Sequence, residues 1–112
     1  MRPEIKAKWV AALRSGEYKQ AQGQLRTDAG FCCLGVLCEL HRKEVDGSWV
    51  DDTYQDMTDD LPNEVREWSG LHDPKTKITI GGERTFPESH NDAWGVKKKS
   101  FLQIADAIEA QL

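Results

Sequence analysis

Two adjacent thiols stand at the start of an apolar segment that has the pattern of a helix. Cys32 and Cys33 would lie in its first turn, where the helix dipole and free N–H groups stabilise a thiolate. Thiol hydrolases combine such a nucleophile with an imidazole base from a later part of the chain, here His72 or His90. The alternative is packing, because free cysteine is among the most buried residue types. The apolar character of the segment on all sides favours packing.

A second group of residues, near the end of the chain, has the composition of a binding patch. Trp94 lies in a polar loop, and Lys97, Lys98 and Lys99 follow it just before a helix start. An exposed indole stacks on a base or anchors a protein partner, and lysines beside a helix N-terminus can hold a phosphate. With His90, these residues form the predicted binding site. The alternative is an ordinary loop over the core with solvated lysines.

The sequence predicts neither a metal site nor a cofactor site. Cys38 and His41 are three residues apart on one helix, but structural zinc needs four such ligands, usually in closely spaced pairs. The acidic residues 51–60 lack the spacing and the glycine of a calcium-binding loop. Gly81 and Gly82 are too short a run to cradle a phosphate. We expect residues 51–60 to be a solvated loop, or carboxylates that meet a basic partner surface.

Apolar residues at helical spacing predict four helices. The predicted segments are residues 4–14, 31–40, 61–68 and 100–112. The second is apolar nearly all round, which predicts a buried helix with the first and last lying against it; Asp28 is its expected cap. Ser100 and Gln103 form a capping box for the last helix.

The remaining segments predict short strands and loops. Residues 77–80 and 83–86 flank a two-residue glycine turn, which is typical of a β-hairpin, and residues 88–99 are expected to be a loop. Asp60 is the expected cap of the third helix, and Trp9 and Trp68 are expected in the core. The predicted fold class is α+β, with about four helices around a buried central helix and one or two short β-hairpins.

Length and composition limit the class of protein. The 112 residues, 38% hydrophobic and 30% charged, fit a single globular domain over residues 1–112. No apolar run approaches a membrane span, and three closely spaced cysteines do not make the disulfide framework of a secreted domain, so we expect a cytoplasmic protein. Residues 1–44 carry a net charge of +3 and residues 45–70 a net charge of −7. This distribution argues against extended nucleic-acid binding but leaves a local basic patch open.

Several blocks of the sequence resemble small proteins encoded by tailed bacteriophages and prophages. The first block is Trp9-x-x-Ala12-Leu13-x-Ser15-Gly16-x-Tyr18-x-Gln20, and the most specific is Phe31-Cys32-Cys33-Leu34-Gly35-Val36-Leu37-Cys38. Later blocks are Leu61-Pro62, Trp68-x-Gly70-Leu71, Asn91-Asp92 and Ser100-Phe101-x-x-Ile104-Ala105-Asp106. The resemblance covers most of the chain and implies a setting: an accessory protein in the bacterial host cytoplasm, for which action against host defence would fit.

Three hypotheses for function follow. The first is a non-catalytic accessory protein that binds a host protein or sequesters a small nucleotide, and we favour it because no convincing catalytic set appears. The second is a small thiol hydrolase that uses Cys32 or Cys33 with His72 or His90. The third is a structural subunit of an oligomer, held by apolar surface that we have assigned to the core; the sequence leaves the oligomeric state open.

Overall fold

Five helices and two short antiparallel hairpins form the α+β fold that the sequence predicts. In the computed structural model, which describes residues 1–112, the helices are α1 (Pro3–Arg14), α2 (Cys33–Val45), α3 (Asn63–Ser69), α4 (Pro87–Asp92) and α5 (Phe101–Gln111). The strands are β1 (Arg26–Thr27), β2 (Gly30–Phe31), β3 (Ile78–Ile80) and β4 (Glu83–Thr85). Strand β1 pairs with β2 and strand β3 pairs with β4, so the molecule has two separate two-stranded sheets.

Helix α2 is the buried centre of the fold, as predicted. Its first turns bury every side chain from Cys33 to Cys38, which agrees with the apolar pattern on all sides of the segment. Gly35 is required there because a Cβ on this residue would lie 1.7 Å from the backbone oxygen of Leu25. The helix ends where Asp46 adopts a left-handed conformation at φ 55°.

The start of α2 corrects the prediction of a helix over residues 31–40 capped by Asp28. Phe31 is extended in β2, because its N–H donates to the carbonyl of Lys19 and its carbonyl accepts from the N–H of Ala21. Asp28 lies in the turn between β1 and β2. The N-cap is Cys32, whose Sγ accepts a hydrogen bond from the Gly35 N–H at 3.3 Å.

Helix α1 packs against both α2 and α5. Trp9 anchors it, with a fully buried ring whose Nε1 donates to the Cys33 carbonyl at 2.9 Å. Helix α5 packs on α1, β3 and α4, so its main partner is α1 and not the central helix that the sequence predicts. The capping box of Ser100 and Gln103 is confirmed.

Two segments predicted as loops have more structure. Residues 51–60 form two tight turns, and Tyr54 between them is 1% exposed because its ring packs against His41 and Trp49. Residues 88–99 contain most of α4, whose six residues are too few to show a helical period.

The N-terminal cap of α3 and the burial of Trp68 differ from the prediction. Asp60 does not cap α3; its carboxylate accepts from the Leu61 N–H and from Arg66, while Pro62 holds the N-cap position. Trp68 is half-buried at the edge of the core.

No helix of the structure combines the length and the apolar character needed to cross a membrane.

Candidate functional site

The thiols that the hydrolase hypothesis requires are buried in the core. Cys32 is 2% exposed, and Cys33 and Cys38 are fully buried. Burial raises the pKa of Cys32 to about 12, against a smaller lowering by the hydrogen bond from Gly35. Burial also raises the pKa of Cys33 and of Cys38 well above the ordinary range. Desolvation therefore outweighs the helix N-terminus, and the thiols stay protonated at neutral pH.

The two imidazoles that the catalytic hypothesis needs lie elsewhere. His72 is exposed on the segment after α3. His90 is fully buried, and its Nε2 donates to the Ile78 carbonyl at 2.9 Å because a carbonyl oxygen can only accept. Neither ring hydrogen-bonds to Cys32 or Cys33, so the structure does not bring a thiol and a base together.

The predicted binding patch is only partly on the surface. Trp94 is 80% exposed, as expected, and Lys97 and Lys98 are also exposed. Lys99 is 5% exposed, and its Nζ donates to Glu83 at 2.7 Å and to the Lys97 carbonyl at 2.5 Å. Lys99 and His90 are therefore buried and do not lie on the exposed surface beside Trp94. Lys99 is held inside by a long-range ion pair, and His90 is held by its bond to the carbonyl of β3.

An open groove of about 510 Å³ lies beside Trp94. Its lining consists of Gln22, Gly23, Asp59, Glu88, Ser89, Asp92 and Trp94. Three of these are carboxylates and none is a lysine or arginine, so the groove is acidic. The charge next to the indole is thus opposite to the phosphate-binding charge that the sequence predicts.

Helix α4 supplies three of the seven residues that line the groove, and Trp94 follows it. Glu88 and Asp92 are four residues apart, which places both carboxylates on one face of the helix. Ala93 ends α4 in a left-handed conformation at φ 60°, and the Trp94 N–H donates to the Ser89 carbonyl at 3.0 Å. This turn places the indole at the end of the carboxylate face.

A buried amide fixes α4 to the opposite wall of the groove. Asn91 is fully buried, and its Nδ2 donates to the Ala21 carbonyl and to the Asp92 carboxylate, each at 2.8 Å. Its Oδ1 accepts from Gln20 at 2.9 Å. The residues that follow Ala21 therefore line the groove at a set distance from α4.

The groove carboxylates differ in how readily they ionise. Burial raises the pKa of Glu88 to about 6, with Asp60 and Asp92 adding repulsion and Arg66 partly opposing it. At neutral pH Glu88 is still mostly ionised, so the groove carries negative charge. Such a site attracts an ammonium or guanidinium group and repels a phosphate.

Sequence reasoning did not identify Asp59 and Glu88 as neighbours of Trp94. The spacing of Glu88 and Asp92 is a usable signal only once α4 is known to be a helix. Asp59 reaches the groove through the fold of residues 51–60, which no local pattern shows.

The structure does not bring Cys38 and His41 together with further ligands for a metal ion. Cys38 and His41 both lie in the core, and the His41 ring is occupied by Tyr54 and Glu64. No group of three or more His, Cys, Asp or Glu side chains is arranged to hold a metal ion.

One family model matches the whole chain. It is described as "Domain of unknown function (DUF8296)" and covers residues 1–112. No curated protein and no solved structure matches the chain.

Proposed function

We propose that the chain, which belongs to the DUF8296 family over residues 1–112, is a non-catalytic binding protein that engages a basic segment of another protein. The observation that carries the proposal is the indole of Trp94, which is 80% exposed at the edge of an acidic groove. The resemblance of the sequence to phage and prophage proteins supplies the proposed setting, in which the partner is a host protein of the bacterial cytoplasm.

Exposure of the Trp94 ring to water is energetically unfavourable, and the ring follows a left-handed residue, Ala93. An unburied indole leaves a large apolar area in water, and tryptophan is enriched among residues that dominate binding energy at interfaces. Ala93 turns the chain at φ 60°, a conformation that costs a non-glycine residue about 1–2 kcal/mol. The hydrophobic core does not include this ring, so its apolar surface is free to contact a partner.

The lining of the groove favours a cationic partner. A guanidinium group stacks on an indole and pairs with carboxylates, so arginine satisfies both features of the site at once. Asp59, Glu88 and Asp92 supply the carboxylates. A nucleotide would bring phosphate charge to the same surface and be repelled, so the geometry favours the protein-binding form of the hypothesis over the nucleotide form.

The state of the thiols supports the non-catalytic part of the proposal. A nucleophilic cysteine requires a thiolate and a base within hydrogen-bond reach. Cys32 has a pKa raised to about 12 and no imidazole partner.

The proposal is tested by direct binding of a defined probe. Fluorescence anisotropy of a labelled octapeptide of alternating arginine and glycine measures affinity for the full chain, and the matching glutamate–glycine peptide reports non-specific binding. Trp94→Ala should weaken binding of the arginine peptide by about 30-fold or more, the loss typical of a central aromatic anchor. Leu102→Ala, which trims an exposed apolar side chain on α5, is the matched control and should bind like the wild type.

Two results would contradict the proposal. One is equal affinity of the wild type and Trp94→Ala for the arginine peptide. The other is a rise in melting temperature with adenine or guanine nucleotides or cyclic dinucleotides and none with the peptide, because a ligand that binds only the folded state must stabilise it.

A further inference from the structure

One buried imidazole joins three separate parts of the chain. His41 on α2 is 1% exposed, and its Nδ1 lies 2.6 Å from the hydroxyl oxygen of Tyr54 in residues 51–60. Its Nε2 lies 3.2 Å from the carboxylate of Glu64 in the first turn of α3. The edges of the Tyr54 and Trp68 rings close around it, with ring centroids 5.7 and 5.0 Å away.

The hydrogen-bond partners of His41 determine which of its ring nitrogens carries the hydrogen. A carboxylate only accepts, so Nε2 carries the hydrogen that points to Glu64. In the neutral ring Nδ1 is then the acceptor, and the Tyr54 hydroxyl donates to it. Each polar atom of the neutral arrangement has a partner, and the Tyr54 hydroxyl has no hydrogen bond other than this one.

We propose that His41 is an acid-sensitive latch: its neutral ring holds the turn around Tyr54 against α2, and a second proton on the ring releases that turn. The doubly protonated ring presents N–H groups on both sides, so a hydrogen on Nδ1 would face the hydrogen of the Tyr54 hydroxyl. The hydroxyl must then rotate, and its hydrogen has no other acceptor in this buried site. An unsatisfied buried donor costs more than the hydrogen bond contributed.

The charges around the ring set the direction of the effect. The titratable groups that face it are Tyr54 from residues 51–60, Glu64 from α3 and Glu44 from its own helix, and both carboxylates favour the protonated ring. Burial outweighs them and lowers the pKa of His41 below its ordinary value of 6.5. The unfolded chain therefore binds a proton at His41 more readily than the folded chain does. The neutral ring stabilises the fold above pH 6.5, and this stabilisation is lost as the pH falls below 6.5 through the lowered pKa.

Residues 51–60 keep several other anchors when the latch opens, among them the hydrogen bond from Gln55 to Glu64 and the ion pair of Asp60 with Arg66. The Thr58 carbonyl still accepts from the Leu25 N–H at 2.7 Å, and the Asp51 carbonyl still accepts from Arg26 at 2.6 Å. The change is consequently local to the turn in which Tyr54 and Met57 exchange backbone hydrogen bonds of 3.0 Å. His41, Tyr54 and Glu64 do not line the groove beside Trp94, so the latch and the binding of a basic partner are separate properties of the chain.

The test is an NMR titration of the imidazoles in the wild type, Tyr54→Phe and Glu64→Gln. We expect His41 to titrate below 6.5. Tyr54→Phe should raise the pKa of His41, because the donor to the neutral ring is lost, and Glu64→Gln should lower it further, because an attractive charge is lost. Exposed His72 is the internal control in each spectrum. A wild-type pKa at or above 6.5, or no rise in Tyr54→Phe, would overturn the latch.

Amide hydrogen exchange provides a second measurement that needs no variant. Between pH 7.5 and a pH one unit below the His41 pKa that the titration measures, after correction for intrinsic rates, protection of the Tyr54 and Met57 amides should fall about fivefold relative to those of α5, as expected for loss of one typical hydrogen bond. Equal protection at both pH values would contradict the release of the turn.

Discussion

Replacement of Gly35 by alanine separates a helix-propensity argument from a packing argument. Gly35 lies in α2 with helical backbone, where propensity alone predicts that alanine adds about 1 kcal/mol of stability. The structure predicts the opposite sign. A Cβ would lie 1.7 Å from the Leu25 carbonyl oxygen and 2.7 Å from its carbon, both backbone atoms that no rotamer change can move.

The loss of stability expected for Gly35→Ala depends on how far the backbones of α2 and Leu25 must separate. Real Cβ atoms essentially never approach another atom within 3.0 Å, so α2 and residue Leu25 must separate by more than 1 Å. Leu25 is itself fully buried, and its backbone pairs with Cys32 and Thr58. Forcing such a shift through a close-packed core costs at least about 3 kcal/mol, the upper part of the range for overpacking. That is a large share of a total stability of roughly 6–17 kcal/mol for a chain of this length.

Urea unfolding followed by circular dichroism measures the effect. Gly95→Ala is the matched control, because it adds the same methyl group in open space at φ 71° and should cost only about 1–2 kcal/mol of left-handed strain. A Gly35→Ala protein that is as stable as the wild type, or more stable, would refute the close approach of Leu25 to α2.

Two further outcomes follow from the sulfurs and the groove. Iodoacetamide at pH 7.5 should leave Cys32, Cys33 and Cys38 unmodified in the native protein and label all three in urea, as read by mass spectrometry; rapid labelling of one native thiol would restore the hydrolase hypothesis. Binding of the arginine peptide should weaken as the pH falls from 7 to 5, because Glu88 becomes neutral below its pKa of about 6. Glu88→Gln should reduce this pH dependence. The same pH dependence of affinity in Glu88→Gln and the wild type would mean that another carboxylate is responsible.

Local signals account for the parts of the fold that the sequence predicts well. The periods of α1 and α5, the capping box at Ser100 and the glycine turn between β3 and β4 all act within a few residues. Residues 51–60 form the predicted loop, with turns and isolated bridges, but no local signal predicts the burial of Tyr54. Their composition is that of a solvated loop, and only contacts with His41 and Trp49 explain why Tyr54 is buried there.

The candidate site depends on contacts that are distant in sequence. The exposure of Trp94 is predictable from its polar neighbours, but Lys99 looks equally exposed until Glu83, sixteen residues earlier, is seen to hold it. His90 likewise turns inward to a carbonyl of β3. A charged or polar side chain is buried when a partner compensates its desolvation, and sequence spacing does not reveal that partner.

The carboxylates of α4 that line the groove also affect the pKa of the thiol of Cys32. The N-terminal turn of α2 is a favourable place for a thiolate in isolation. Here Glu88 and Asp92 on α4 add their negative charge to the effect of burial and raise the pKa of Cys32 further. A catalytic thiolate at Cys32 would need a cation on this side, and the chain places carboxylates there instead. The charges that would attract a basic partner are thus the same charges that suppress thiol chemistry beneath them, which favours binding over catalysis at this end of the molecule.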